Sequence, residues 1–317
     1  MIVTAGKPCP APRQKTPAEL TDDYVWWTSA TKKVDRLRDA IAHALPGASE
    51  FARRRTLYEL LLADYLGDDW VRRNVDRATS ESEDRARGGN GARYFRRDRE
   101  WGVRTAAMQY RRAGELARRL FEFTREDFFD LLLSNLLRRD LEGAAFESDV
   151  IHMLMALPSV IELRKESGVK GDDYDIDLWF GRHAPWPIEV KTRAEDVKYS
   201  EKAFLKTLDR ARQQLPEGGV GSVFMKLPES WVDSAIFQSE RDQVLARFFG
   251  ATTRVHAVVL VWEVYVFGDP PSVAWQYEKG WSIHRSPSVD AGFDELLGSY
   301  ERIWAQPIQI AAPRAPF

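Results

Sequence analysis

Two short apolar runs that carry charge at every second position constrain this chain most. They are Asp175-Ile176-Asp177-Leu178-Trp179-Phe180 and Pro187-Ile188-Glu189-Val190-Lys191. Side chains two apart on a β-strand share a face. Asp175 and Asp177 therefore point one way, and so do Glu189 and Lys191. The flanking Trp179, Phe180, Trp186, Ile188 and Val190 are too apolar for strands that lie open to water. If the two strands are adjacent, Asp177, Glu189 and Lys191 converge at one end of a sheet.

The rest of the chain gives these strands a context. Residues 18–140 read as helices, with Thr21 as a helix cap, a stop at Pro46-Gly47, a second helix ending near Gly67, a loop around 81–93, and helices over about 93–121 and 125–140. From residue 141 the order becomes helix, three short β-runs, helix, strand, helix, then a long β-run and a hairpin partner, with a last helix near 290–304. The fold class expected is α/β, a mixed sheet flanked by helices and preceded by a mainly helical N-terminal domain. The expected division is a tail over 1–17, a helical domain over 18–140, an α/β domain over 141–305 and a second tail over 306–317.

Composition removes several alternatives. The longest uninterrupted apolar run, Ala257 to Trp262, is six residues, against about 20 for a spanning helix. Cys9 is the only cysteine, which leaves no intrachain disulfide and no cysteine-based zinc site. The N-terminal stretch lacks the apolar core of a secretory signal. A cytoplasmic protein with no membrane partner is the expectation.

Two carboxylates held within a few ångström repel unless a cation lies between them. Oxygen-only ligands select a hard ion, Mg²⁺ or Mn²⁺, over zinc. Such an ion activates water and neutralises phosphate oxygens, and a neighbouring ammonium adds charge stabilisation. Asp177, Glu189 and Lys191 are thus a minimal kit for phosphodiester hydrolysis.

These residues resemble the PD-(D/E)xK nuclease superfamily, whose fold is restriction-endonuclease-like. The likeness covers Phe146 to about Leu227, and GDDYDIDL looks most like the corresponding segment of Mrr-type restriction enzymes. The proline of the family name is replaced by Ile176. The resemblance implies a helix glutamate, Glu147, joining Asp177 and Glu189 on the metal, with Asp175 as a reserve ligand. It implies that Lys191 positions the attacking water and stabilises developing charge, and that a glutamine from the following helix, Gln213 or its neighbour Gln214, with Gln213 preferred, helps hold the site or substrate. It further implies a metal-dependent endonuclease acting on duplex DNA in prokaryotic antiviral defence or DNA processing, with a homodimer as the working form. The alternatives are an inactive nuclease-fold module that binds nucleic acid, and an RNA-directed, toxin-like nuclease.

The charge distribution suggests where nucleic acid would lie. Residues 1–140 hold 27 Lys+Arg against 22 Asp+Glu, while the remainder holds 19 against 26. Arg97, Arg104, Arg111 and Arg118 recur every seven residues, which on a helix is one slowly drifting stripe, widened by Arg112 and Arg119. Guanidinium groups in a row suit phosphates, and Tyr94, Phe95 and Trp101 could stack on bases. The alternative is a solvated helix face. The helical region is also the expected seat of any protein partner.

Overall fold

A computed structural model describes residues 17–76, 94–95, 103–180, 185–193, 197–267 and 275–305. Contacts divide these residues into two compact units, 17–145 and 146–305. The division falls between Ala145 and Phe146, inside a helix, where the sequence pattern put it at 140/141.

The first unit is helical. Its elements are α1 (Pro17–Ala44), α2 (Glu50–Leu66), a single turn α3 (Asp68–Val71) followed by a π-helical turn, α4 (Val103–Phe123) and α5 (Phe129–Arg138). Helix α1 starts at Pro17, so Thr21 is an internal residue and not a cap. Proline suits a first helical position because the N–H it lacks would have no partner there. Helix α2 starts where Ser49 accepts the Ala52 N–H at 3.2 Å and stops at Gly67, whose φ is +90°. It buries Leu57, Tyr58, Leu61, Leu62 and Leu66, one apolar stripe at helical spacing. The expected loop over 81–93 and the expected tails, Pro17 apart, lie outside the described residues.

The second unit begins within α6 (Leu141–Leu154). The strands are β1 (Val160–Leu163), β2 (Ile176–Trp179), β3 (Trp186–Thr192), β4 (Gly221–Lys226), β5 (Val255–Phe267) and β6 (Trp275–Arg285). They form one six-stranded mixed sheet in sequential order. The β1–β2, β2–β3 and β5–β6 pairs are antiparallel, and the β3–β4 and β4–β5 pairs are parallel. The parallel pairs require crossovers. These are α7 (Glu201–Gln214), then the short α8 (Glu229–Val232) with α9 (Ala235–Gly250). Helix α10 (Ala291–Trp304) ends the unit.

Two right-handed crossovers that progress in one direction place their helices on one face of the sheet. One core cluster accordingly joins Phe204, Leu208 and Leu215 of α7, Phe237, Val244 and Phe248 of α9, and Val223, Met225, Val258 and Leu260 of the sheet. Alternate strand residues face the other layer. There Trp186 meets Phe293 of α10 with ring centres 4.4 Å apart, and Trp281 meets Trp304 at 5.4 Å. Helix α6 lies on that second face too. Leu154 and Met153 carbonyls accept from Tyr300 and Trp304, and Asp149 pairs with Lys279 of β6 at 3.0 Å.

Candidate functional site

Strand register decides which charged residues meet. Ile176 pairs with Ile188 and Asp177 with Pro187. The Asp175 carbonyl accepts the Arg164 N–H at 2.8 Å, in step with the β1–β2 register, while its own N–H reaches Ile188 O at 3.1 Å, one residue out of the β2–β3 register. Residues opposite one another in an antiparallel pair share a face. Asp175, Asp177, Glu189 and Lys191 therefore share one, as the alternation predicts. It is the face of α7 and α9, because Glu189 and Lys191 pair with Val223 and Met225, which belong to that core.

The side chains form two linked groups. Glu189 is fully buried, and the Lys191 ammonium donates to its Oε1. The same ammonium donates to Gln214 Oε1 at 2.6 Å, and Gln214 Nε2 donates to the Asp173 carbonyl at 3.1 Å. Gln214 thus ties the end of α7 to the segment that leads into β2. Of the two glutamines the resemblance offers, the preferred Gln213 is exposed, while Gln214 follows the buried Ala211 by three positions and turns towards the sheet.

The second group surrounds Asp177, which is 6 % exposed. Tyr174 Oη donates to its Oδ1 at 2.7 Å, and Arg164 Nη1 donates to its Oδ2 at 3.1 Å. Arg164 also reaches Asp172 at 2.7 Å and stacks over the Tyr174 ring at 4.3 Å. Burial first, and then the Asp177 carboxylate, push the Tyr174 hydroxyl well above the ordinary tyrosine range. For Arg164 burial opposes the charge, and the bond to Asp177 together with the charges of Tyr174, Asp177 and Asp172 outweighs it, so its pKa rises. Asp175 serves the backbone instead. Its Oδ2 accepts the Val190 N–H at 2.8 Å, taking a ladder bond just past the end of β2. Gly171, before the aspartates, has φ +84°, a left-handed bend that glycine adopts without strain.

Glu147 stands apart. It is buried in α6, and that helix packs on the opposite face of the sheet, so the sheet separates the helix from Glu189 and Lys191. Among the described residues, no three acidic, histidine or cysteine side chains stand together as a metal-binding group. Asp175, Asp177 and Glu189 offer oxygen donors from two adjacent strands, a chemistry suited to a hard divalent ion.

Beside Lys191 opens a cleft of about 560 Å³, between the end of β3, helix α7 and the loop before β2. Lys170, Lys191, Arg193, Arg210, Thr207 and Gln213 line part of it.

The arginine stripe of the first unit is built differently from the sequence expectation. Arg112 and Arg119 are 2 % exposed and donate to the Tyr94 and Ala145 carbonyls, at 2.5 and 3.1 Å. Arg111 and Arg118 are half-buried, and both pair with Glu115. Arg104 is placed only as part of the α4 backbone, and Arg97 lies outside the described residues. Tyr94 and Phe95 are core rings in mutual contact at 4.8 Å, so they offer no face to a base; Trp101 lies outside the described residues.

The sequence pattern does not single out Arg164, Tyr174, Arg193 or Arg210. Arg164 follows Glu162 at strand spacing in SVIELRK, the same period-two signal, but only the β1–β2 register sets it opposite Asp175 and near Asp177. Comparison of the chain with family models, with curated proteins and with solved structures finds no match.

Proposed function

We propose that the chain is a metal-dependent nuclease of the PD-(D/E)xK kind, with a restriction-endonuclease-like α/β domain, that hydrolyses phosphodiester bonds in DNA. The observation that carries this reading is the polar arrangement on one sheet face: Lys191 bound to Glu189 and Gln214, with Asp175 and Asp177 on the neighbouring strand. A solvated strand face would leave these groups in water. Here Glu189 is fully buried and Asp177 nearly so, and burying charged groups is justified only by pairing or by chemistry.

The donors are oxygen only, a chemistry that suits a hard cation, and among the described residues they do not gather as a group of three. Asp177 and Glu189 would hold Mg²⁺ or Mn²⁺, with Asp175 as the reserve ligand. The ion would supply charge neutralisation at the phosphate and a more acidic water. The chain's own residues do the remainder. Lys191 presents an ammonium, fixed by Glu189 and Gln214, to an anionic phosphate oxygen and to the charge that develops as the P–O bond breaks. Arg164 and Tyr174 fix the Asp177 carboxylate, so its orientation needs no rearrangement when substrate arrives.

A second reading has one observation in its favour. Both Asp177 oxygens already accept from protein donors, as they would in a nuclease-fold module that binds nucleic acid without cutting it.

Incubation of plasmid DNA and of total RNA with the protein, in Mg²⁺ and in chelator, tests the proposal. Mg²⁺-dependent DNA cleavage that is lost in Lys191→Ala and in Glu189→Gln supports it. Cleavage that persists in both variants removes the site assignment, and binding without cleavage under Mg²⁺ and Mn²⁺ supports the second reading. Cleavage confined to RNA assigns the same site to the other nucleic acid.

A further inference from the structure

The cleft beside Lys191 is one-sidedly cationic. Among the described residues Lys170, Lys191, Arg193 and Arg210 line it, against the single carboxylate of Asp173. That carboxylate is engaged by its own loop, accepting the Ser167 and Gly168 N–H groups at 2.7 and 3.1 Å. Arg193 is anchored: one guanidinium nitrogen donates to the Ala203 carbonyl in the first turn of α7. Its Nε is buried with no hydrogen-bond partner among the described residues. Burial, and then the charge of Arg210, lower the Arg193 pKa, so two guanidinium groups face one cleft close enough to repel. Among the described residues no carboxylate pairs with Lys170, Arg193 or Arg210. Like charges gathered this way are relieved by an anion.

The size and lining of the cleft narrow the anion. Its volume, about 560 Å³, lies within the usual range for an organic ligand, roughly 300–1,000 Å³, and is too large for a phosphate ion alone. The described lining has cations, hydroxyls and amides but no aromatic ring on which a base could stack. Such a lining suits phosphates and sugars, which carry no sequence information.

We propose that this cleft seats the sugar–phosphate backbone of a nucleic-acid strand without reading its bases, Arg193 and Arg210 clamping the phosphate next to the one that meets Lys191. The proposal rests on the nuclease reading for the direction in which the strand runs to Lys191, and its test does not depend on cleavage.

Fluorescence anisotropy measures binding to two labelled duplexes of unrelated sequence and to an RNA of equal length, in Ca²⁺, from about 50 to about 200 mM salt. Arg210 is exposed on α7, so Arg210→Gln and Arg210→Glu leave the fold intact; Arg193→Gln is included once circular dichroism shows it folded. Arg302→Gln, an exposed arginine of α10, is the charge-matched control. Each cleft variant is expected to weaken binding to both duplexes equally. The slope of log affinity against log salt should flatten by about 0.9 for a duplex, or about 0.7 for a single strand, for each phosphate no longer neutralised. Equal weakening on RNA supports the clamp as well, because the phosphate is shared. Unchanged affinity and slope in Arg210→Glu overturn it, as does a loss confined to one duplex or matched by Arg302→Gln. Wild-type protein that binds but never cuts, with the slopes flattened, keeps the clamp and removes the nuclease. Cutting with unchanged slopes does the reverse.

Discussion

Arg164 Nη1 donates to Asp177 Oδ2 at 3.1 Å while the guanidinium lies over the ring of Tyr174, whose hydroxyl holds the other Asp177 oxygen. One cation therefore fixes a nearly buried carboxylate from a strand edge. Arg164→Gln is expected to lower stability by about 1–3 kcal/mol, since it leaves Asp177 short of a charged partner in a low-dielectric place. Urea unfolding measures this. If Asp177 also binds the metal, the variant should shift the Mg²⁺ concentration for half-maximal cleavage; an unchanged midpoint would confine Arg164 to a structural role.

Gln214 and Gln213 are neighbours with different prospects. Gln214 holds the Lys191 ammonium and Gln213 is exposed at the cleft. On the proposed nuclease reading, Gln214→Leu should reduce the cleavage rate at saturating DNA by tenfold or more, on the order expected when one positioning hydrogen bond is removed, with KM little changed. Gln213→Leu should leave the rate near wild type. Equal effects of the two substitutions would remove Gln214 from its positioning role.

Gly280 is required by its neighbour across the sheet. It pairs with Trp262, and a Cβ there would stand 2.3 Å from the indole. Gly280→Ala is expected to destabilise the second unit by about 1–3 kcal/mol, the usual range for overpacking. Pairing Gly280→Ala with Trp262→Leu should restore part of the loss, which a double-mutant cycle in urea would read.

Helix α4 carries arginines of two kinds. Arg119 is buried and bonded to the Ala145 carbonyl, whereas Arg111 is an ion-paired rim residue. Arg119→Ala should lower stability by about 3–5 kcal/mol, as when a buried charge network loses a member. Arg111→Ala should cost no more than about 1 kcal/mol. Thermal unfolding of the two variants side by side separates them.

His256 gives the fold an acid sensitivity. Its Nδ1 accepts the N–H of Asp290, the residue that caps α10, and burial lowers its pKa below 6.5. Burial likewise lowers His284. As pH falls through about 6.5 the unfolded chain takes up these protons first, so stability present above that pH is lost below it. The urea midpoint should fall between about pH 7.5 and pH 5.5, and His256→Asn, which keeps an acceptor without a titration, should show a smaller drop.

Much of this was legible in the residues because it follows from local periods. Alternation at Asp175–Phe180 and Pro187–Lys191 assigned two strands and their polar face. The crossover order implied a sheet with parallel pairs. Legibility failed where a residue's role depends on a partner distant in sequence. In α4, Arg112 and Arg119 read as a charged surface, yet their carbonyl partners lie elsewhere in the chain and bury them.

The sequence by itself determined which side chains share a strand face, because the two-residue repeat is a property of the extended backbone alone. Only the tertiary structure decided that Gln214 and not Gln213 meets Lys191, that Arg164 holds Asp177, that α6 carries Glu147 on the far side of the sheet, and that four cations line one cleft. Those outcomes depend on strand register and on how each helix is rotated against the sheet, and both are set by which apolar surfaces can be buried together.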